Sequence, residues 1–213
     1  MADPIGYDMA RALEYIESLQ AEVQPITVDE VGDETLRIQP TIGPIAAGLA
    51  ELLVRAKRIT RILEIGTSLG YSACALGRAA RSYRGTVLTI EIDERIASIA
   101  RENVRAAGLA ETVEILLRDS KTAVRDLEGP FGLILQDGAK DDYLPMLDRL
   151  VELLEPGGIL VTDDVLFPVM NLPESAAGWK RAVAGYNMAL KMREDLQTIW
   201  LPIGDGVALS VKL

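Results

Sequence analysis

Apolar residues recur at two different periods along this chain. Near the start, Met9, Leu13, Ile16 and Leu19 stand three or four positions apart, which predicts an amphipathic helix over residues 8–21. The stretch from Gln24 to Thr35 is rich in acids and turn formers and reads as a loop, either mobile or simply connecting. Residues 41–57 predict a second helix, with Pro44 in its first turn, where a missing N–H is tolerated. From Arg61 the pattern changes to short apolar runs that alternate with helical stretches. The runs 61–65, 86–90, 113–117, 133–136 and 158–162 predict strands, and 71–81, 93–107, 120–127 and 142–154 predict the helices between them. Several runs are apolar at every position, as in parallel strands covered on both faces. The end differs. A helix over 174–191 precedes runs at 196–201 and 207–213 that flank Gly204-Asp205-Gly206, which predicts an antiparallel hairpin. The whole implies an α/β fold: a doubly wound, Rossmann-like, seven-stranded sheet, mostly parallel with a C-terminal antiparallel hairpin, plus N-terminal helices.

The ends of the apolar runs carry the chemistry. In an open α/β sheet, ligands bind beyond the carboxyl ends of the strands. The first run stops at Gly66, crosses Thr67-Ser68-Leu69-Gly70 and enters a helix, so backbone N–H groups and the Ser72 hydroxyl can meet a ligand there. The spacing is G-x-x-x-G rather than the dinucleotide G-x-G-x-x-G. The second run ends in Glu91, about twenty-five residues on, which suits a carboxylate for ribose hydroxyls. Asp93 reads as the cap of the next helix. Arg118-Asp119-Ser120 closes the third run, where Asp119 and Ser120 can cap a helix, meet an adenine edge, or both. The fourth run ends at Gln136-Asp137 and the fifth at Asp163-Asp164. Hard oxygen donors on neighbouring strands suit Mg²⁺, Ca²⁺ or Mn²⁺, or are turn and loop acids. Lys140 lies three residues after Asp137, and beside a cation it can lose its proton more easily. Asp141 and Asp142 read as helix N-caps. Trp179 and Tyr186 either wall an acceptor pocket or pack in the core.

Composition narrows the choices. The 213 residues are 49 % hydrophobic and carry a formal charge of −10, which disfavours a broad nucleic-acid face and favours a small neutral or cationic partner. With no histidine in the chain, His-metal sites, Ser-His-Asp triads and His bases are excluded. Cys74 is the single cysteine; it reads as a small apolar residue inside a helix and is compatible with a reducing cytoplasm. The first residues lack a basic and an apolar region of a signal peptide, and no run approaches the length of a membrane helix, so a cytoplasmic location is expected.

Together these residues resemble the class I S-adenosylmethionine-dependent methyltransferases, and more narrowly the cation-dependent O-methyltransferases of the catechol and caffeoyl-CoA type, including small bacterial members. The resemblance runs from about Leu36 to Leu213. It is carried by Leu63–Ser72, the Asp-x-x-Lys at Asp137–Lys140, Asp163-Asp164-Val165-Leu166, Tyr186-Asn187, and Leu201–Gly206. It implies a single methyltransferase domain over 1–213, with 1–57 as an N-terminal helical cap and 58–213 as the cofactor-binding core. It implies S-adenosyl-L-methionine and a divalent cation as cofactors. Glu64, Gly66, Thr67 and Ser72 would hold the methionine part, with Ile38 touching it. Glu91 would bind the ribose, and Asp119 and Ser120 would border the adenine. Asp137 would serve cofactor, metal and catalysis; Asp163 and Asp164 would complete the metal set; Lys140 would be the base. The expected reaction is methyl transfer to a hydroxyl of a small catechol-like or phenolic acceptor, by a homodimer.

Three departures stand out. Asp164 replaces the usual Asn, Phe167-Pro168-Val169-Met170 lacks the usual Trp or Gly pattern, and Gln136 is an odd strand end. Three aspartates around one divalent ion would leave a charge of −1, strengthening ion binding, weakening the ion's pull on a substrate oxygen and raising the pKa of Lys140. The alternatives are a tRNA-nucleoside O-methyltransferase of the same fold, a cofactor-binding protein without transferase activity, and, more remotely, a nicotinamide oxidoreductase.

Overall fold

The computed structural model describes residues 9–20 and 42–213. Ile38 and the loop expected over 24–35 lie outside the described residues. Two helices come first, α1 (Met9–Gln20) and α2 (Pro44–Lys57). Then strands and helices alternate: β1 (Arg61–Ile65), α3 (Tyr71–Arg81), β2 (Thr86–Glu91), α4 (Glu94–Ala106), β3 (Val113–Leu117), α5 (Ser120–Asp126), β4 (Phe131–Gln136), α6 (Tyr143–Leu153) and β5 (Leu154–Thr162). The chain ends with α7 (Ala177–Met192), β6 (Leu196–Leu201) and β7 (Val207–Lys212). No helix among the described residues is long and apolar enough to cross a membrane.

The seven strands form one sheet in the order β3-β2-β1-β4-β5-β7-β6. The first five in that order pair in parallel, while β7 is antiparallel to both β5 and β6. The chain winds outward from β1 in one direction and from β4 in the other. The carboxyl ends of β1 and β4 therefore diverge into a crevice, the usual ligand position in such sheets.

Alternate residues of each strand feed two cores. Ile62, Leu133, Leu135 and Val161 pack with α2 and α3 on one face; Leu63, Ile65, Ile134 and Leu160 pack with α6 and α7 on the other. Burying each such side chain stabilises by about 1.5–3 kcal/mol, which is why the apolar runs marked the strands. Cys74 is buried within α3, as expected, and burial pushes its thiol up to about 11.

The fifth strand begins four residues earlier than the apolar run predicts. Leu154 leaves α6 and pairs directly with Phe131, and an irregularity in the β4–β5 pairing accommodates Pro156-Gly157 before the register resumes at Leu133 and Ile159. A Pro-Gly-Gly sequence reads as a loop, but a bulge absorbs it here.

Candidate active site

A cleft of about 610 Å³ opens at the carboxyl ends of β1 to β5. Its floor is set by Gly66, which has φ +93°. A Cβ there would collide with the carbonyl of Asp137, so only glycine lets β1 and β4 approach this closely. The turn enters α3 through Gly70, and Ser72 lies in the first helical turn, where it lines the cleft together with Thr67. The Thr67 and Thr89 hydroxyls share a hydrogen bond of 2.6 Å.

Glu91, at the end of β2, is fixed by main chain. Its Oε2 accepts from the Ser68 N–H at 3.0 Å, and Oε1 accepts from Ile92 and Asp93 N–H groups at 2.9 and 3.0 Å. Two carboxylate oxygens have about four acceptor sites, so capacity remains for a ligand's hydroxyls. Asp93 caps α4, as its sequence position suggests, by accepting from Arg95 and Ile96 N–H groups. Asp119 caps α5 through Thr122 and also lines the cleft beside Ser120. The Thr122 hydroxyl and N–H, as the leading influences, lower the Asp119 pKa.

Glu64 differs from its expected neighbours. It is fully buried and does not reach the cleft wall, which Gly66, Thr67 and Ser72 do. Neither of its carboxylate oxygens has a partner at hydrogen-bonding geometry. Burial pushes its pKa up to about 7 against the opposing influence of the Ser72 and Thr89 hydroxyls, and Asp137 and Glu91 push the same way as burial.

At the other end of the cleft, Asp137 follows β4, and Asp163 and Asp164 follow β5. One oxygen from each lies within 4.8 Å of the others. Asp163 Oδ1 is buried without a partner. This orphaned oxygen, in a set of three hard donors, fits a divalent cation. Burial first, then Asp137 and Asp164, pushes the Asp163 pKa up to about 8. Burial raises Asp137 to about 6, with Lys140 opposing and Asp164 adding. Burial also raises Asp164, against the pull of Lys140. Asp164 has φ +62°, in the left-handed region that Asn and Asp tolerate best. Either residue suits this backbone, so the departure from Asn adds a charge without changing the turn.

Lys140 projects into this group from a short 3-10 turn over Lys140–Asp142. Its ammonium donates to Asp137 Oδ1 at 3.2 Å, to the Gly138 carbonyl at 3.1 Å and to the Tyr143 hydroxyl at 3.0 Å, and it pairs with Asp164. Burial pulls the lysine pKa down, but Asp137 and Asp164 together outweigh it and hold the group above its ordinary value. Tyr143 is fully buried and donates onward to the Asp163 carbonyl at 3.3 Å. Burial, then the three aspartates, raises its phenol well above the usual range.

Phe167 and Trp179 stack at 6.4 Å in the cleft wall. Tyr186 does not line it: that ring is fully buried against Tyr143, and its hydroxyl bonds to Thr162 at 2.6 Å. Asp142 is at the N-cap position of α6 without capping it; its carboxylate pairs with Lys121 at 2.8 Å instead. Gln136 is fully buried with both amide atoms unpartnered. Ser68, Tyr143 and Asp205 escape a reading of the sequence. Tyr143 has a weak signal in its spacing, three residues beyond Lys140 as Lys140 is beyond Asp137.

A doubly wound sheet closed by an antiparallel hairpin, with an acid after β2 and a glycine turn after β1, defines a Rossmann-like methyltransferase. The comparisons place it within that class. The model of the O-methyltransferase family matches residues 17–213, and the chain belongs to this family of S-adenosylmethionine-dependent enzymes. It is 30 % identical to a catechol O-methyltransferase of Niastella koreensis, over 99 % of this chain and 94 % of that one. It is 34 % identical to a catechol O-methyltransferase of Mycobacterium tuberculosis, over 75 % of each. In fold it matches an SAH-bound methyltransferase of Podospora anserina with a TM-score of 0.83, at 20 % identity, over the whole of both chains.

Proposed function

We propose that this chain methylates a hydroxyl of a small catechol-like or phenolic acceptor, with S-adenosyl-L-methionine and a divalent cation (Mg²⁺, Ca²⁺ or Mn²⁺) bound in the one cleft. The observation that carries this reading is the meeting of Asp137, Asp163 and Asp164 within 4.8 Å, beside Lys140, in the same cleft as the Gly66 turn.

In this reading Gly66, Thr67 and Ser72 receive the methionine portion, with Glu64 acting from behind Ser72. Glu91 accepts the ribose hydroxyls, and Asp119 and Ser120 border the adenine. Asp137, Asp163 and Asp164 hold the cation. When bound, the cofactor supplies a methyl group on a sulfonium. When bound, the cation lowers the pKa of the acceptor hydroxyl. The chain's own residues do the rest. The strand ends hold both reactants in one fixed line, and such alignment can supply about 7–11 kcal/mol of the barrier. Lys140 takes the hydroxyl proton at Nζ. With Asp137 and Asp164 engaged by a cation, the lysine loses their support and burial draws its pKa down. Tyr143 steadies the same nitrogen through its hydroxyl at 3.0 Å. A homodimeric, cytoplasmic enzyme belongs to the same reading.

The test is methyl transfer from the cofactor to catechol, with Mg²⁺ and with a chelator. Product with Mg²⁺ and its loss with chelator support the reading. Equal product in both would remove the cation from it, and no product from any catechol or phenol would remove the acceptor class.

A further inference from the structure

We propose that the acceptor bears no negative charge, and by preference carries an ammonium group on its side arm, so that anionic arenes and coenzyme A thioesters are poor substrates. This rests on the O-methylation reading above and narrows its acceptor.

The acceptor end of the cleft has one sign. Among the described residues, Asp137, Asp163, Asp164 and Asp205 line it, against Lys140 as the one basic side chain. Four carboxylates against one lysine and one divalent ion still leave a negative charge. Asp205 lies in the β6–β7 turn and its side chain faces solvent at the mouth. Its backbone carbonyl accepts from the Leu166 N–H at 2.9 Å, which ties this turn to the loop carrying Phe167. Its charge is felt by both Asp137 and Asp164. Trp179, 40 % exposed, lines the same cleft and stacks on the buried Phe167 with their planes 29° apart. Aromatic faces attract cations, by about 0.5–1 kcal/mol at exposed sites. An exposed carboxylate and the exposed Trp179 ring in one cleft suit an ammonium group.

Among the described residues the same wall offers an anion no uncommitted basic side chain. Its basic side chains are Lys140, engaged by Asp137 and Asp164, and Arg118, paired with Asp126 at the adenine end. Coenzyme A brings a diphosphate and a further phosphate, for which this cleft has no cationic seat among the described residues. Residues 1–8 and 21–41 contain seven acids and one arginine, so their composition does not reverse the sign.

The test uses the full chain loaded with SAH and Mg²⁺. Calorimetry compares dopamine with 3,4-dihydroxyphenylacetate, which share a ring and differ in the sign of the arm. We expect dopamine to bind about tenfold tighter, with the gap shrinking as salt rises, because the pairing at the mouth is solvent-screened. Asp205→Asn should cut the ratio about threefold or more. Equal binding, tighter binding of the carboxylate, or no binding of either overturns the proposal, as does an unchanged ratio in Asp205→Asn. Turnover of both compounds and of caffeoyl-CoA is then measured. Selective dopamine binding without methylation keeps the charge preference and removes the O-methylation reading. Methylation of all three with equal kcat/KM does the reverse.

Discussion

The two ends of the cleft solve the same problem in opposite ways. At the β1–β3 end, most of the acids and hydroxyls that line the cleft are held by the chain itself: Glu91 by three N–H groups, Asp93 and Asp119 by the helices they cap, and Thr67 by Thr89. At the β4–β5 end, three carboxylates crowd together with one oxygen orphaned, and burial raises the pKa of each. The first end is preorganised for a ligand recognised by shape and hydroxyls. The second is short of positive charge, and Lys140 fills the gap only in part. Two groups at the ordered end are exceptions: the buried Ser68 hydroxyl in the cleft wall and the orphaned Glu64 carboxylate behind it. In the proposed reading, the end that receives the cofactor is complete without an added charge, while the end that receives the acceptor needs one.

Breaking each end separately sharpens this contrast. The largest effect is expected at the second end: Lys140→Ala should lower kcat by about 10²–10⁴-fold, the usual worth of a positioned base, while SAH affinity measured by calorimetry stays close to the parent's. Equal kcat in the variant would remove Lys140 from the chemistry. At the first end, Glu91→Gln should weaken SAH binding by about tenfold, since a hydrogen bond to a charged acceptor is worth about 1.5–3 kcal/mol. Its affinity for Mn²⁺ should stay nearly constant. A parallel loss of both would mean that the ends are coupled.

A smaller change is expected from Asp164→Asn. It keeps a residue that tolerates φ +62° and removes one charge from Lys140. Activity with catechol should be retained or rise a few-fold, with weaker Mn²⁺ binding in a titration. Complete loss of ion binding would give this acid a different job.

A separate effect is on stability. Burial pushes Glu64, Asp137 and Asp163 up to about 7, 6 and 8 in the folded chain, above the ordinary carboxylate values of 4.5, 3.8 and 3.8. Between those limits the folded state holds protons that the unfolded state has released, so stability falls as pH rises from roughly 4 to 8. The melting temperature in chelator should drop across this range, and Mg²⁺ should restore more of it at pH 8 than at pH 5. A rise of Tm with pH in chelator would contradict the charge shortage at the second end.

The same contrast marks what the sequence made legible. Strands buried on both faces announce themselves as unbroken apolar runs, and their ends locate Gly66, Glu91, Asp137 and Asp163 once the topology is known. The early start of β5 was hidden because Pro156-Gly157-Gly158 looks like a loop and only pairing with Phe131 makes it sheet. Asp142 reads as a helix cap, but Lys121, from a distant helix, captures its carboxylate. Tyr143 begins an apolar helix face, and only its spacing from Lys140 gives a weak sign that its hydroxyl meets that lysine. Asp205 reads as an ordinary turn residue, since nothing local reveals that the hairpin folds back over the Leu166–Phe167 loop. Features set by period and strand end were readable; those set by contacts between distant segments were not.

In the proposed reading one cleft holds an adenosyl cofactor at its ordered end and a divalent cation at its charge-poor end. Diffraction from crystals soaked with SAH and Mn²⁺, collected for anomalous signal, tests it directly. SAH density is expected from Gly66 to Ser120, with the adenosine over Glu91, together with a single strong manganese peak among Asp137, Asp163 and Asp164. SAH in the cleft with no manganese among those three carboxylates, or manganese there with the adenosyl position filled by side chains, would contradict it.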